Sequence, residues 1–309
     1  MRWLLLRALP VLAGALLLLT LIGVAHYAPL FDGMAEQRIE RPGPGPRSAA
    51  PRRVLLVSID GLSPRVLAGV RAPTLARLAE EGARASSART VLPSITMAAH
   101  TTMLTGLSPA QHGVSWNRYQ PWSRVAAPTL FGRCREVGLR CGLFAGKRKF
   151  VHFAEGEAGV ERYQWQPDAA AVLDAAASWL ESADPDFEMI HLAEVDLAGH
   201  ERGWGSPAQQ AAIEATDRLL GVFLPRARAA SGRPLVVLLT SDHGGHDTRH
   251  GTDQPADMEI PWLLWGDDIP PGHEISAPVT ALDTAPTLMS LLGLTPPSHW
   301  PGTPHFPLN

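Results

Sequence analysis

Three apolar runs in this sequence each lead into an aspartate: VLLVSID into Asp60, FEMIHLAEVD into Asp196 and LVVLLTSDH into Asp242. Histidines gather beside two of them. His200 follows Asp196 by four residues, His243 adjoins Asp242, and His246 and His250 come next in GGHDTRHGTD. One aspartate at a strand end is ordinarily a turn or helix cap, and one loop histidine is ordinarily a surface residue. Three such aspartates with four such histidines ask for another explanation. Carboxylate oxygens and imidazoles without thiolate are the donor set of a catalytic zinc or manganese site, not of a Cys-rich structural one.

A nucleophile candidate lies in VLPSITMAAHTTMLTG. Pro93 and Ser94 break the preceding segment, and Met97 to Leu104 reads as a helix. Thr96 then falls at the helix N-terminus, where free amides and the helix dipole favour anions. Alone it would be an ordinary N-cap; beside a metal inventory it is a hydroxyl available for activation. Charge counting agrees. Two divalent ions bring four positive charges against the three of Asp60, Asp196 and Asp242. The remaining positive charge favours an anionic phosphate and the ionisation of a hydroxyl.

The elements that must position these residues alternate. VLLVSID, CGLFAG, FEMIHLAEVD and LVVLLTSDH read as strands apolar on both faces. PTLARLAEEGAR, AAAVLDAAASWLES and SPAQQAAIEATDRLLGVFLPRAR read as helices between them. That alternation predicts an α/β fold, a three-layer αβα sandwich with a mostly parallel central sheet. In such sheets ligands bind at the carboxyl ends of the strands, where Asp60, Asp196 and Asp242 are expected to stand. PVTALDTAPTLMSLLGL reads as a last helix packed on the sheet.

The N-terminus reads differently. An apolar run over residues 3–25, flanked or interrupted by Arg2 and Arg7, suits a signal peptide or a membrane anchor, assigned to residues 1–28. Residues 29–53 (ERPGPGPRSAAPRR at their core) read as a Pro/Gly/Arg-rich tether, and residues 54–309 as the catalytic domain. Export follows as the expectation, to the periplasm or another extracytoplasmic space, with residues 3–25 as an inner-membrane anchor where they are retained. Charged residues make up 18% of the chain and the net charge is −3, so no basic face advertises nucleic acid. Cys134 and Cys141, seven apart, suit either a short disulfide-closed loop or two free thiols.

Taken in order, VLLVSIDG, PSITMAAHTTMLTGLSPAQHGV, EVDLAGH, TSDHGGHDTRHG and VTALDTAPTLMSLLGL resemble the alkaline phosphatase superfamily, specifically its type I phosphodiesterase/nucleotide pyrophosphatase branch. The resemblance runs from about Val54 to Leu294. It implies an alkaline-phosphatase-like sandwich holding two divalent ions, zinc by preference, with manganese or iron fitting the same ligands. Carried over, Asp60, Thr96, Asp242 and His243 look like the ligands of one ion, and Asp196, His200 and His250 like those of the other. His250 is preferred to His246 because the family's late ligand commonly precedes glycine, as His250 precedes Gly251. The implied reaction is attack by Thr96 on a small phosphate ester, through a phosphothreonine, cleaving phosphodiester or pyrophosphate bonds with retention at phosphorus.

One position departs from the pattern. Nucleotide pyrophosphatases commonly place an asparagine three residues after the nucleophile, and this chain has Ala99 there. Lys147 and Lys149 in AGKRKF resemble a Lys-x-Lys element of the phosphonoacetate hydrolase branch, where lysines meet the substrate's second anionic group. Asn117, with Trp116 beside it, is a further candidate for substrate binding. Phosphomonoesterase and phosphonate hydrolase are the alternatives on the same core; a sulfatase is disfavoured by threonine at the nucleophile position. A catalytically inactive, membrane-tethered binding protein is the alternative of another class.

Overall fold

The computed structural model describes residues 38–40, 50–155 and 159–308. Its strands are β1 (Arg38–Glu40), β2 (Arg53–Ile59), β3 (Ala83–Ala85), β4 (Ala88–Arg89), β5 (Cys141–Ala145), β6 (Arg162–Trp165), β7 (Phe187–Leu192), β8 (Leu235–Thr240), β9 (Trp262–Gly266), β10 (His273–Ile275) and β11 (Val279–Thr280). The principal helices are α1 (Pro73–Glu81), α2 (Thr96–Thr105), α3 (Ala169–Ala183), α4 (Glu194–Arg202), α5 (Pro207–Ala229) and α6 (Thr284–Leu291).

Nine strands form one sheet in the order β1-β6-β5-β7-β2-β8-β9-β3-β10, and β4 and β11 pair separately. The run β6-β5-β7-β2-β8 is parallel throughout, while β1 and β9 join antiparallel. This is the mostly parallel sheet the apolar runs predict. Every residue of β2, β7 and β8 is buried, because helices cover both faces. Leu55, Val57 and Ile59 face one core with α1, α3 and α5; Val54 and Leu56 face the other with α2 and α6. Three layers result.

The strands that matter for the site are neighbours. β2 is central, with Val57 opposite Ile190 of β7 on one side and Leu239 of β8 on the other. Asp60 follows β2 directly and Asp242 lies two residues beyond β8. Asp196 differs from the sequence expectation. β7 stops at Leu192, and Asp196 stands in the first turn of α4. A helix brings residues four apart onto one face, so Asp196 and His200 converge there as a strand would not allow.

The signal-peptide or anchor segment over residues 1–28 lies outside the described residues. Among the described residues no helix is long and apolar enough to cross a membrane. Much of the 29–53 tether is also outside them, but its described parts are ordered into the domain. Arg38–Glu40 pairs with Arg162–Gln164 of β6, and Ala50 donates its N–H to the Asp186 carboxylate. Arg53, read as the last tether residue, opens β2 and is buried, its guanidinium donating to Pro185 O, Ala230 O and Asp184. Cys134 and Cys141 are both buried and free, so of the two readings the structure takes the thiols.

Candidate metal centre

Gly61 makes the first turn possible. It follows Asp60 with φ +73, and a Cβ there would lie 3.0 Å from Asp196 Cα, so only glycine lets the β2 and β7 ends approach this closely. Asp60 and Asp196 thereby share one pocket with Asp242 and His243 from the β8 end. All four are essentially fully buried.

Two triangles of donor atoms form there. In the first, His243 Nε2 lies 3.4 Å from Asp60 Oδ1 and 3.3 Å from Asp242 Oδ2. In the second, Asp196 Oδ1 lies 3.4 Å from His200 Nε2 and 3.6 Å from His250 Nε2, and the two Nε2 atoms are 3.2 Å apart. Ligands at the usual zinc distances of about 2.0–2.1 Å stand about 3.3–3.4 Å apart when tetrahedral. The His243 edges of the first triangle, at 3.3 and 3.4 Å, match that length, and the edges of the second, at 3.2–3.6 Å, bracket it.

The chemistry of the atoms fits a cation as well. Asp60 Oδ1, Asp196 Oδ1, Asp242 Oδ2, His243 Nε2 and Thr96 Oγ1 are all buried without a hydrogen-bond partner among the described residues. Leaving such groups unpaired costs about 1–3 kcal/mol each, more where charged. Four of them are corners of the two triangles, so something else satisfies them there. The histidine tautomers agree. His243 Nδ1 donates to Gly244 O at 2.8 Å, His250 Nδ1 to Ser94 O at 2.8 Å and His200 Nδ1 to Thr248 O at 2.9 Å. With Nδ1 the donor in this tautomer, each ring has its Nε2 lone pair left for a ligand, as in metal-ligating imidazoles. Burial first, and His243 second, push His250 down to about 4, which keeps it neutral. Two lone pairs at 3.2 Å repel unless a cation lies between them.

The two centres abut. His243 groups with Asp60 and Asp242, but also with Asp196 and His250. Its ring stacks on His250 with centroids 3.6 Å apart and planes within 12°. His200 is the exposed member at 44%, so the second triangle faces the entrance.

His246 is elsewhere. Its Nδ1 donates to Asp257 Oδ1 at 2.7 Å, and Arg249 Nε and Gln254 Nε2 lie 3.2 Å from its Nε2. Asp257 also accepts from Thr252 N–H and Oγ–H. This knot closes the loop that presents His250, and His246 belongs to the knot.

Thr96 is the first residue of α2, with Ile95 in extended conformation before it and no side-chain cap. The Met97 N–H of that first turn donates to Asn117 Oδ1 at 3.2 Å, and Lys149 Nζ donates to the same oxygen at 2.8 Å. Burial first, then Lys147, push Lys149 down to about 8. Ala99 points away from this turn into a small core with Val91, Met103 and Ala281. The asparagine beside the helix terminus is thus Asn117, from the following loop. Trp116 packs edge-on against His152, with centroids 4.8 Å apart.

Lys147 is placed more deeply than Lys149. Its Nζ donates to Asp60 Oδ2 at 2.5 Å and to Asp196 Oδ2 at 2.6 Å. It ties together the outer oxygens of two carboxylates whose inner oxygens enter different triangles. Burial alone would lower Lys147, but Asp60, Asp196 and Asp242 outweigh it and hold the ammonium above the ordinary lysine value. Burial would likewise raise Asp60, yet Lys147 and His191 hold it well below the carboxylate range.

Sequence reasoning passed over four residues here. His191 Nε2 donates to Asp60 Oδ2 at 2.8 Å. His100 joins Thr96 O at 2.8 Å through Nδ1 and Ser58 Oγ at 2.8 Å through Nε2. Trp204 donates its Nε1–H to Gly61 O at 3.0 Å and sets its ring edge-on to His200. Phe150 covers His191 at a centroid distance of 4.1 Å. Only His191 had a visible signal, an imidazole that with Glu188 interrupts the apolar strand FEMIHL.

Residues 54–127 match the model of the type I phosphodiesterase/nucleotide pyrophosphatase family, and residues 142–296, half of the chain, match that of the metalloenzyme superfamily. Ectonucleotide pyrophosphatase/phosphodiesterase family member 7 of Homo sapiens is 26% identical over 217 residues, which are 62% of this chain and 47% of that protein. A 2,3-bisphosphoglycerate-independent phosphoglycerate mutase of Haloarcula marismortui is 30% identical over 152 residues, 47% of this chain and 28% of the mutase. The chain thus spans about half the length of its curated relative, or less. Murine ectonucleotide pyrophosphatase/phosphodiesterase 5, solved in an inactive form in complex with AMP, shares the fold. Its TM-score is 0.70 at 17% identity, covering 82% of this chain and 97% of that one. With the two triangles at the β2, β7 and β8 ends, these matches converge: the chain belongs to the alkaline phosphatase superfamily of metalloenzymes, in its nucleotide pyrophosphatase/phosphodiesterase family.

Proposed function

We infer that this protein hydrolyses phosphodiester or pyrophosphate bonds, with Thr96 as nucleophile beside two divalent ions. The observation that carries the reading is the set of four buried donor atoms, corners of two triangles with described edges of 3.2–3.6 Å, that have no hydrogen-bond partner among the described residues, with Thr96 Oγ1 likewise buried and unpartnered at the start of α2. Asp60, Asp242, His243 and Thr96 would hold one ion, and Asp196, His200 and His250 the other. Carboxylates and imidazoles without thiolate favour zinc, and manganese or iron suits the same set. Bound there, the ions would supply Lewis acidity toward phosphoryl oxygens and charge stabilisation in the transition state.

The chain's own residues do the rest. Thr96 Oγ1 forms a bond to phosphorus as the bond to the leaving oxygen breaks, and the proton given up by the hydroxyl ends on that oxygen. Water then cleaves the phosphothreonine and returns the hydroxyl. Two in-line displacements predict retention at phosphorus. The amides of the first α2 turn face the developing charge, and Asn117 is anchored beside them through Met97 N–H and Lys149. His100, bonded to Thr96 O, fixes the turn from behind. Trp204 shields His200 and His250 from lateral water.

A second reading, a phosphomonoester or phosphonate as substrate, is favoured by Lys149, a buried-stem cation beside the nucleophile that suits a second anionic group. The AMP held by murine family member 5 supports a nucleotide ester among the small substrates. Export of the catalytic unit, with residues 3–25 cleaved or kept as an anchor, accompanies this reading.

The test is hydrolysis of bis-p-nitrophenyl phosphate beside p-nitrophenyl phosphate, with and without chelator, for the wild type and Thr96→Ala. Metal-dependent diester turnover that disappears in Thr96→Ala is expected. Preference for the monoester moves the assignment to the second reading. Bound metal without turnover on either ester overturns it in favour of an inactive binding protein.

A further inference from the structure

Away from the metal centre the structure holds a cavity of about 910 Å³, between the short helix Pro64–Leu67, α1 and strands β3, β4 and β9. Small-molecule sites typically measure about 300–1,000 Å³. None of the metal-centre residues lines it. Its wall is apolar, made chiefly by Leu67, Leu75, Ile260, Trp262 and Leu263. Its polar edge is one-sided. Arg71, Arg84 and Arg89 line it, and their side chains have no hydrogen-bond or ion-pair partner among the described residues. The single acidic lining residue, Glu259, faces Arg65 at 4.0 Å.

An apolar wall of this size favours a ligand with an apolar body. Three unpaired guanidiniums at its edge add a requirement for negative charge, and guanidinium recognises carboxylate and phosphate in the same forked geometry. A neutral apolar ligand would leave the arginines unused, and a cationic one would be repelled. We propose that this cavity binds a single-chain amphiphile with an anionic head, carboxylate or phosphate, its chain against Leu75 and Trp262 and its head at Arg71, Arg84 and Arg89.

The test is photolabelling of the full chain, in a neutral maltoside detergent, with a diazirine-bearing C12 fatty acid. Adducts are mapped by mass spectrometry, and labelling is competed by lauric acid, dodecyl phosphate or dodecyltrimethylammonium. Adducts within residues 64–89 and 259–263 are expected, removed by the two anionic competitors and not by the cationic one. The stronger of the two anionic competitors identifies the head as carboxylate or phosphate. Arg71→Gln with Arg84→Gln should cut labelling there at least about tenfold. Ala76→Trp, which fills the cavity from its rim, should abolish it. Both variants should keep the wild-type metal content, since the metal centre is separate, and that measurement reports their folding. Adducts confined to other parts of the chain, equal competition by dodecyltrimethylammonium, or labelling unchanged in the arginine variant would overturn the proposal.

Discussion

Lys147→Met asks whether the carboxylates around this lysine are built for a larger cation. Lys147 Nζ reaches Asp60 Oδ2 and Asp196 Oδ2 at 2.5 and 2.6 Å. Asp60 keeps His191 as a second donor, whereas Asp196 Oδ2 keeps none among the described residues. Methionine preserves most of the aliphatic stem and removes the charge, so packing changes little. In the metal-free protein, Asp60, Asp196 and Asp242 then lose their nearest lysine. Breaking a buried pair in this way costs about 3–5 kcal/mol, a fall in melting temperature of roughly 6–20 °C for a domain of this size. With divalent ions on the inner oxygens the carboxylates are already compensated. Only the lost hydrogen bonds remain, about 1.5–3 kcal/mol. Urea unfolding of wild type and variant, in chelator and in saturating zinc, gives both differences. From the middle of the two ranges, the penalty in chelator should exceed the penalty in zinc by about 2 kcal/mol. Equal penalties in the two conditions would refute the idea that ions and Lys147 neutralise the same carboxylates.

Two further substitutions separate site from scaffold. His250→Ala should lower the bound-metal count by one on elemental analysis after dialysis. His246→Ala should leave both ions and instead cost about 1–3 kcal/mol of stability, because buried Asp257 loses a donor; loss of an ion in His246→Ala would reverse the assignment. Glu188 in β7 is fully buried, both its oxygens without a partner among the described residues, and burial raises it well above the ordinary carboxylate range, with Arg53 opposing. The fold therefore holds a proton that the unfolded chain releases near pH 4.3. Above that pH this group lowers stability by about 1.4 kcal/mol per pH unit, until its folded-state pKa is reached. Glu188→Gln lacks that slope, so its advantage over wild type in urea unfolding should grow from pH 5 to pH 8, and parallel profiles would refute the argument.

Much of the fold was legible because burial on both faces leaves a plain signature. The runs around Val54–Ile59 and Leu235–Thr240 contain almost no polar residue, and only a parallel sheet covered by helices on both sides buries them. β1 left no such signature: three polar-flanked residues inside a Pro/Gly-rich stretch pair with β6 because that edge is open, a tertiary fact. Asp60, Asp242 and His243 were legible because each sits just beyond a strand, and Asp196, His200 and His250 because carboxylate and imidazoles cluster closely in sequence. The placement of Asp196 on a helix was not, since β7 and α4 are separated by a single residue, Ala193. Lys147 illustrates the limit most clearly. Its motif pointed to a substrate contact, but its two carboxylate partners lie 87 and 49 residues away in sequence, and only the strand order β5-β7-β2 brings them together. The arginine-edged cavity had no local pattern at all, being lined from four separate segments.

Anomalous diffraction above and below the zinc absorption edge, from crystals of the zinc-loaded protein, tests the central claim most directly. Two peaks are predicted. One should lie within about 2.0–2.2 Å of Asp60, Asp242 and His243 donor atoms, and the other at the same distance from Asp196, His200 and His250. A single peak, or a peak held by His246 in place of His250, would contradict the account.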